Sequence, residues 1–477
     1  MIERIRRTKI MATLGPSSRD PATMRRLVDA GVDVFRVNFS HATPEEFDRY
    51  VRDVRKISGD CGRTVGVLAD LQGPKLRIGG LEDHRPVILE EGQSIDITTR
   101  AVVGTKRLIS TAYQALPMDV KVGDCVLLAD GGLELRVTGI DGDTVRCVIV
   151  HGGVLGERKG MNLPGVAVSA PALTDKDRED LALAVKGGAD FIAISFVRRP
   201  EDVVEAKQLV RELGSDVPIA AKIEKPEAIE RLDEILRASD AVMVARGDLG
   251  VEMAVERVPT LQKRIIRRAN ANLIPVVTAT QMLESMVHAP RPTRAEASDV
   301  ANAIIDGTDA IMLSEETAAG DYPVDAVETM VRIALEAEAN FPPREYRRER
   351  VDSDSHAISR AACTIAQSID VRAIAAFTRS GFSARIVSKD RPNVPIYAFV
   401  PDDLIGRRLK LDWGVLPCTI DFGRSTEEML ASVESELLRR GAVERGEAVV
   451  VVGGTPMGVR GRTNLLKIIR AGESAGE

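Results

Sequence analysis

FIAIS at Phe191–Ser195, PEDVVEAKQLVREL at Pro200–Leu213, IAAK at Ile219–Lys222, PEAIERLDEILRA at Pro226–Ala238 and AVMV at Ala241–Val244 decide the fold of this chain. The first, third and fifth are short, wholly apolar or nearly so, and of strand length. The second and fourth are amphipathic, of helix length, and each opens on a proline, which suits the first turn of a helix. Strands that are apolar on both faces and joined by helices make parallel βαβ units. Working outward, further strands are expected at Lys9–Leu14, Val32–Val37, Val65–Ala69, Pro275–Thr278 and Ala310–Leu313. Helices are expected at Pro21–Ala30, Asp175–Gly187, Val258–Asn270, Arg294–Asp306 and Asp325–Ala339, with stop signals at Gly31, Gly188 and Gly307. The eight strands predict an α/β protein built on a (β/α)8 TIM barrel rather than an open sheet.

The alternation stops between the third and fourth strands. Over residues 71–170 the helical period vanishes, and runs such as Ser94–Thr98 and Val145–Val150, with turns at Asp130-Gly131 and Asp141-Gly142, predict a small inserted antiparallel β-barrel. Such an insertion would sit on a βα loop, at the face where barrel enzymes carry their sites, as a lid. The expected domains are therefore residues 1–70 and 171–342 for the barrel, 71–170 for the lid, a charged Pro-Pro linker at 343–355, and a C-terminal α/β domain at 356–477. In the last, strands are expected at Ala373–Phe377, Ile396–Phe399, Val415–Pro417 and Ala448–Val452.

Composition narrows the function classes. The 477 residues carry a net charge of −6, with 44% hydrophobic and 29% charged residues. This balance argues against bulk attraction to nucleic acid or membrane, and no apolar run reaches the ~18 residues that span a bilayer. The basic N-terminus MIERIRRTKIMATLGPSS lacks a sustained apolar core, so no secretory leader is expected. Five dispersed cysteines without a CxxC pair predict neither a zinc cluster nor a disulfide framework, and fit the reducing cytoplasm.

Side chains two apart on a strand share a face. Arg36, Asn38 and Ser40 therefore point one way if the strand extends that far; otherwise the chain leaves it after Val37 and they meet solvent. Lys222 and Glu224 share a face at the end of the fifth strand, and Asp248 supplies a second carboxylate after the sixth. Two carboxylates from neighbouring strand ends suit a hard divalent ion, which takes few protein carboxylates plus ligand oxygens. Lys222 beside them would offer charge to a phosphoryl group in transfer. The other reading is a Lys–Glu pair that buttresses the barrel. Thr278 and Thr280 add hydroxyls at the same rim.

Taken with Ala12–Ser17 (ATLGPS), Arg36–His41 (RVNFSH), Gly160–Gly165 (GMNLPG), Lys222–Glu224 (KIE), Met243–Gly250 (MVARGDLG), Ala279–Met286 (ATQMLESM), Arg291–Asn302 (RPTRAEASDVAN) and Asp306–Leu313 (DGTDAIML), the chain resembles the pyruvate kinases. The resemblance implies phosphoryl transfer from phosphoenolpyruvate to ADP, giving pyruvate and ATP. It implies that Glu224 and Asp248 hold Mg2+ or Mn2+, that Lys222 faces the moving phosphoryl group, and that Thr280 lies near the carbon to be protonated. The amides of Gly247 and Asp248 would take the substrate carboxylate, Arg36 and Arg77 would contact phosphate, and Pro16, His41 and Lys159 would border the nucleotide. It further implies a homotetramer.

Many relatives read DTKGPE where this chain has Asp70-Leu71-Gln72-Gly73-Pro74-Lys75. Those relatives hold K+ at positions matching Asn38, Ser40, Asp70 and a carbonyl such as that of Leu71. With Lys75 in place of the acid, a tethered ammonium supplies the single charge, and K+ is not expected to be required; the alternative is a Lys75 that points to solvent while K+ still binds. A second departure, Glu315 for the usual glycine, is expected to be local. In the C-terminal domain, Thr378, Arg379, Ser380, Gly381 and Ser383 open a helix as a phosphate cup for a phosphorylated effector, with Arg460 and Arg462 on a loop that could close over it. Two other readings are a barrel lyase or aldolase, which would need no nucleotide, and a non-catalytic sensor.

Overall fold

The computed structural model describes residues 5–340, 353–422, 425–454 and 463–473. The expected linker at 343–355 lies almost wholly outside the described residues, as do Arg460 and Arg462. Eight parallel strands close into a barrel: β1 (Lys9–Thr13), β2 (Val34–Asn38), β3 (Gly66–Asp70), β4 (Phe191–Ile194), β5 (Ile219–Ile223), β6 (Ala241–Ala245), β7 (Val276–Ala279) and β8 (Ala310–Leu313). Each strand pairs with its sequence neighbours, and β1 closes the ring on β8 through Lys9–Ala310 to Ala12–Leu313.

The period of two along each strand sorts its side chains between the barrel lumen and the surrounding helices. Met11, Val34, Leu68, Ala220, Met243, Val277 and Met312 fill the lumen, while Ile10, Phe35, Val67, Ile192 and Val242 pack outward. On β1 the inward face reads Lys9, Met11, Thr13 from bottom to top. The ends are polar for different reasons: Lys9 Nζ donates to Val415 O at 2.7 Å, and Thr13 Oγ1 donates to Leu313 O at 2.9 Å. The same face on β2 reads Val34, Arg36, Asn38, which lifts Arg36 and Asn38 to the top rim.

The helices start and stop where the sequence signals. Thr43, Thr174 and Thr293 each cap a helix with a reciprocal acid three residues on. The segment Pro226–Ala238 differs from expectation, because it breaks at Arg231 into Pro226–Glu230 and Leu232–Ala238. Leu232, Ile235 and Leu236 share one face of the second piece and are all buried.

The lid has its own apolar core, built around Ile95, Ile97, Val126, Leu135, Val145 and Ile149. Its six-stranded sheet is antiparallel except for Ser94–Thr98 beside Leu108–Ser110, which runs parallel. The edges at Gly160 and Thr111 are bridged by the segment Arg77-Ile78, which closes the sheet on itself. The turns fall at Asp130-Gly131 and Asp141-Gly142, where both glycines have positive φ.

The C-terminal domain is a five-stranded sheet in the order Val415–Thr419, Ile396–Val400, Val371–Phe377, Ala448–Gly453, Leu465–Arg470; the last strand is antiparallel and was not expected. This domain docks on the bottom of the barrel, where its Leu411 joins the lumen core. Four aspartates, Asp33, Asp190, Asp240 and Asp309, each precede an even-numbered strand. Each accepts the first amide of the ladder beside it, from Ile10, Val67, Ile219 and Val276 at 2.8–3.0 Å. Three of the four then receive a cation from the C-terminal domain: Lys410 reaches Asp33 and Arg407 reaches Asp190, both at 2.7 Å, and Lys389 and Arg391 reach Asp309.

Candidate active site

At the top of the lumen, β2, β3 and β5 bring four charged side chains into one cluster. Arg36 Nε donates to Asp70 Oδ2 at 2.6 Å, and its Nη1 donates to Thr13 Oγ1 at 3.0 Å. The Lys222 ammonium lies 3.5 Å from Asp70 Oδ1 and 2.9 Å from Glu224 Oε1, and donates to Ser195 Oγ at 2.8 Å. Ser195 in turn donates to Leu71 O at 2.8 Å. Asp70 and Glu224 side chains are each about 1% exposed. Burial alone would push the Lys222 ammonium down, but the carboxylates of Asp70, Glu224 and Asp248 outweigh it and hold its pKa above the ordinary lysine value. Burial raises the Asp70 carboxyl, but Lys222 and Arg36 outweigh it and keep that group below the usual range. Glu224 is raised, chiefly by burial and then by Asp248, against the pull of Lys222. The site thus holds fixed positive charge where β2 and β5 end, in a dry environment that strengthens it.

Glu224 Oε2 accepts the amide of Phe196 at 2.6 Å, while its Oε1, buried against Lys222, makes no hydrogen bond. Asp248 is half-buried, two residues into the helix Arg246–Glu252 that follows β6. A buried carboxylate oxygen with unfilled acceptor capacity beside a second carboxylate is a donor set that fits a hard divalent ion. Among the described residues no group of three or more His, Cys, Asp or Glu side chains gathers as a cage.

At the end of β7 the backbone is strained. Thr280 has φ 68° and Gln281 φ 52°, a left-handed conformation that a β-branched residue rarely adopts. Arg246 holds this turn by donating from Nη2 to Thr280 O at 2.6 Å and from Nε to Ala279 O at 3.2 Å. The strain aims Thr280 Oγ1 at the amide of Gly247, which donates to it at 2.8 Å.

The other expected site residues lie around this cluster. Asn38 and Ser40 form a turn in which Ser40 N donates to Asn38 Oδ1 at 3.0 Å, because β2 ends at Asn38. His41 is exposed, its amide donating to Asn38 O, and Pro16 is exposed after β1. Arg77 Nη1 donates to Arg158 O at 3.2 Å, and Lys159 is exposed on the same edge of the lid. Lys75 sits where the lid joins the barrel, 3.9 Å from Asp130 Oδ1. At this junction Gly73 is tightly confined, since a Cβ there would fall 2.8 Å from Ser195 Cβ. Glu315 is exposed, whereas its neighbour Glu316 is buried and accepts the amides of Leu283 and Ser314. Sequence reading missed Ser195, Arg246 and Glu316, whose only signal was a polar residue ending or following a barrel strand.

In the C-terminal domain, Gly381 takes φ 85° before the helix Phe382–Lys389. Thr378 is buried, Arg379 and Ser380 are exposed, and Ser383 Oγ is paired with Thr463 Oγ1 at 2.7 Å. Arg379 lies over the Phe422 ring, 5.3 Å from its centroid.

Comparison with known proteins bears on this geometry directly. Residues 5–327 match the family model described as pyruvate kinase, barrel domain, and residues 356–469 the one described as pyruvate kinase, alpha/beta domain. The chain belongs to the pyruvate kinase family. It is 44% identical over 468 residues to a pyruvate kinase of Mycobacterium tuberculosis, covering 98% of this chain and 99% of that protein. It is also 44% identical over 471 residues to a pyruvate kinase of Sporosarcina psychrophila, covering 97% of this chain and 80% of that protein. Among solved structures, a pyruvate kinase from Cryptosporidium parvum superposes with a TM-score of 0.92 at 37% identity, covering 98% of this chain and 96% of that one. Among the described residues no helix is long and apolar enough to cross a membrane.

Proposed function

We propose that this enzyme transfers the phosphoryl group of phosphoenolpyruvate to ADP with Glu224 and Asp248 holding Mg2+ or Mn2+. The carrying observation is the buried Lys222 ammonium, kept charged by three carboxylates and set beside Arg36 at the lumen's top rim. The enol P–O bond breaks, a terminal oxygen of ADP takes the phosphorus, and the enolate accepts a proton at carbon to give pyruvate. Lys222 and Arg36 face the charge that spreads over the phosphoryl oxygens, and Arg77 meets phosphate from the lid side. The amides of Gly247 and Asp248 receive the substrate carboxylate, and Thr280, released from Gly247, lies beside the carbon to be protonated. When bound, the divalent ion supplies further positive charge to substrate oxygens. Pro16, His41 and Lys159 border the nucleotide, and the lid excludes water from the transfer. Under this reading the enzyme works in the cytoplasm as a homotetramer, and its five free cysteines suit a reducing compartment. Pyruvate release that stops without ADP, or on chelation of the divalent ion, tests the proposal; release that ignores ADP would favour a lyase.

We also propose that K+ is not required. The support is the state of three of the four groups that relatives use for it. Asp70 already faces two cations, Asn38 Oδ1 accepts Ser40 N, and Leu71 O accepts Ser195 Oγ. Lys75 stands at the lid junction with its ammonium free to reorient from Asp130, an exposed partner at 3.9 Å that contributes little. Lys75→Glu is expected to lose at least roughly tenfold in rate in potassium-free buffer and to regain much of it when K+ is added. A wild-type enzyme that is silent until K+ is supplied would refute this.

Thr378, Arg379, Ser380, Gly381 and Ser383 are proposed to bind a phosphorylated effector. The support is a helix of eight residues whose N-terminus follows an αL glycine and exposed Arg379 and Ser380. Fructose bisphosphate, ribose 5-phosphate, glucose 6-phosphate or AMP should raise the melting temperature by a few degrees at saturation. No shift from any of them would count against the site.

A further inference from the structure

Lys225, Glu252 and Asn162 meet beside the cluster described above but take no part in it. Glu252 closes the helix Arg246–Glu252 and its side chain is 1% exposed. Its Oε1 accepts from Lys225 Nζ at 2.6 Å and from Asn162 Nδ2 at 2.9 Å. Lys225 is itself mostly buried, its ammonium 5.7 Å from the centroid of the Phe196 ring.

The three residues come from three parts of the molecule. Lys225 directly follows Glu224 at the end of β5. Glu252 stands four residues after Asp248 on one helix, so the two carboxylates lie on the same helix face. Asn162 belongs to Met161–Asn162, the strand by which the chain returns from the lid. The lid also approaches this helix at its Ala129–Gly132 turn, where a Cβ placed on Gly131 would lie 4.0 Å from Val251 Cγ1.

A buried carboxylate is costly unless its oxygens are compensated. Lys225 neutralises Glu252, but one of its hydrogen bonds is supplied by the lid. If the lid swings outward, Glu252 loses that donor, and the helix that carries Asp248 loses its tether. If the lid closes, Glu252 is satisfied and the helix is fixed at both ends.

We infer that Glu252 is a positioning residue that latches the lid to the Asp248 helix, so that lid closure and the setting of Asp248 are one event. The inference rests on the reading of Asp248 as a divalent-ion ligand, and it adds a route by which a residue outside the reaction controls that ligand. Asn162 is the lid's half of the latch, and Lys225 holds the Glu252 carboxylate in place.

The test uses the full chain and two variants, Asn162→Ala and Glu252→Gln, with amide hydrogen exchange read first and kinetics second. In Asn162→Ala, exchange should accelerate together in residues 160–166 and 246–252, while the melting temperature stays within about 2 °C of wild type. The value of kcat/KM should fall about tenfold, through KM more than kcat, the size expected for one hydrogen bond to a charged group. The double variant should lose no more than Glu252→Gln alone, because both act through one contact. Faster exchange confined to residues 160–166, an unchanged kcat/KM, or additive losses would overturn the latch. Exchange is read on the protein alone, so the latch is tested even if wild type fails to consume phosphoenolpyruvate, a failure that would sink only the reading of the site.

Discussion

Lys222→Met is expected to lower turnover by about 10^3-fold or more, while Mn2+ still binds at Glu224 and Asp248. The reason is positional. Lys222 is the ammonium at the centre of the cluster, with Asp70, Glu224 and Ser195 all within 3.5 Å. Transition-state charge on a phosphoryl group is stabilised mainly by fixed cations in a water-poor site, and removal of one such group costs roughly 10^3–10^5 in rate. Methionine is one atom shorter, reaching the level of the lysine Cε, and fills most of the same space, so packing is nearly conserved. Arg36 still neutralises Asp70 at 2.6 Å, which limits the loss of stability. The two readings of this lysine make opposite demands. A Lys222 that only buttresses the barrel would, when replaced, lower the melting temperature and leave the folded fraction fully active. Rapid-quench turnover and Mn2+ titration on the same sample separate them.

Lys389→Met is expected to give the largest loss of stability in the chain, at the seam between the barrel and the C-terminal domain. Lys389 and Asp309 are both wholly buried, and Lys389 Nζ also donates to Asn270 Oδ1 and Ile274 O at 2.9 Å. Breaking a buried pair from one side costs about 3–5 kcal/mol, because the remaining charge stays in the dry interior. Arg391, 3.0 Å from Asp309, offsets part of that. The chain has a single tryptophan, Trp413, and it lies in this seam, 3% exposed, with Arg391 over its ring at 4.8 Å and Arg7 at 5.6 Å. Its fluorescence therefore reports undocking. The urea midpoint of that signal should fall by roughly 1 M or more. Burial would raise the Asp309 carboxyl, but Lys389 and Arg391 outweigh it and hold its pKa below the usual range. A depressed carboxylate contributes stability that is complete above its unfolded pKa of about 3.9 and is lost as pH falls through its folded value. Wild type should keep the Trp413 signal down to about pH 4. An unchanged midpoint would mean that the apolar contacts around Leu411 carry the docking alone.

Much of this was readable from residues. The period of two alone puts Arg36 on one face with Asn38, and Lys222 on one face with Glu224. Prolines and glycines at helix ends set most boundaries to within a residue or two. What escaped the sequence depends on contacts between distant segments. Ser195 looks like the last residue of an apolar strand until Lys222 and Leu71 are brought to it. Thr280 carries no local mark of its left-handed backbone, since the cause is Arg246 pulling on the carbonyl from thirty-four residues away. The four aspartates below the even strands carry no sequence mark of their role, and the docked domain adds a cation to three of them. The strand Leu465–Arg470 was hidden because LLKIIR shows no alternation, being exposed over much of both faces at the sheet edge. Nothing in the sequence at Arg231 announces the break in Pro226–Ala238.

The most direct test is to measure ATP and pyruvate together, from phosphoenolpyruvate and ADP with Mg2+, in potassium-free buffer. Phosphoryl transfer at this site predicts ATP and pyruvate in equal amounts, at a rate that added K+ leaves nearly unchanged. Pyruvate accompanied by inorganic phosphate instead of ATP, or no pyruvate at all, would contradict it.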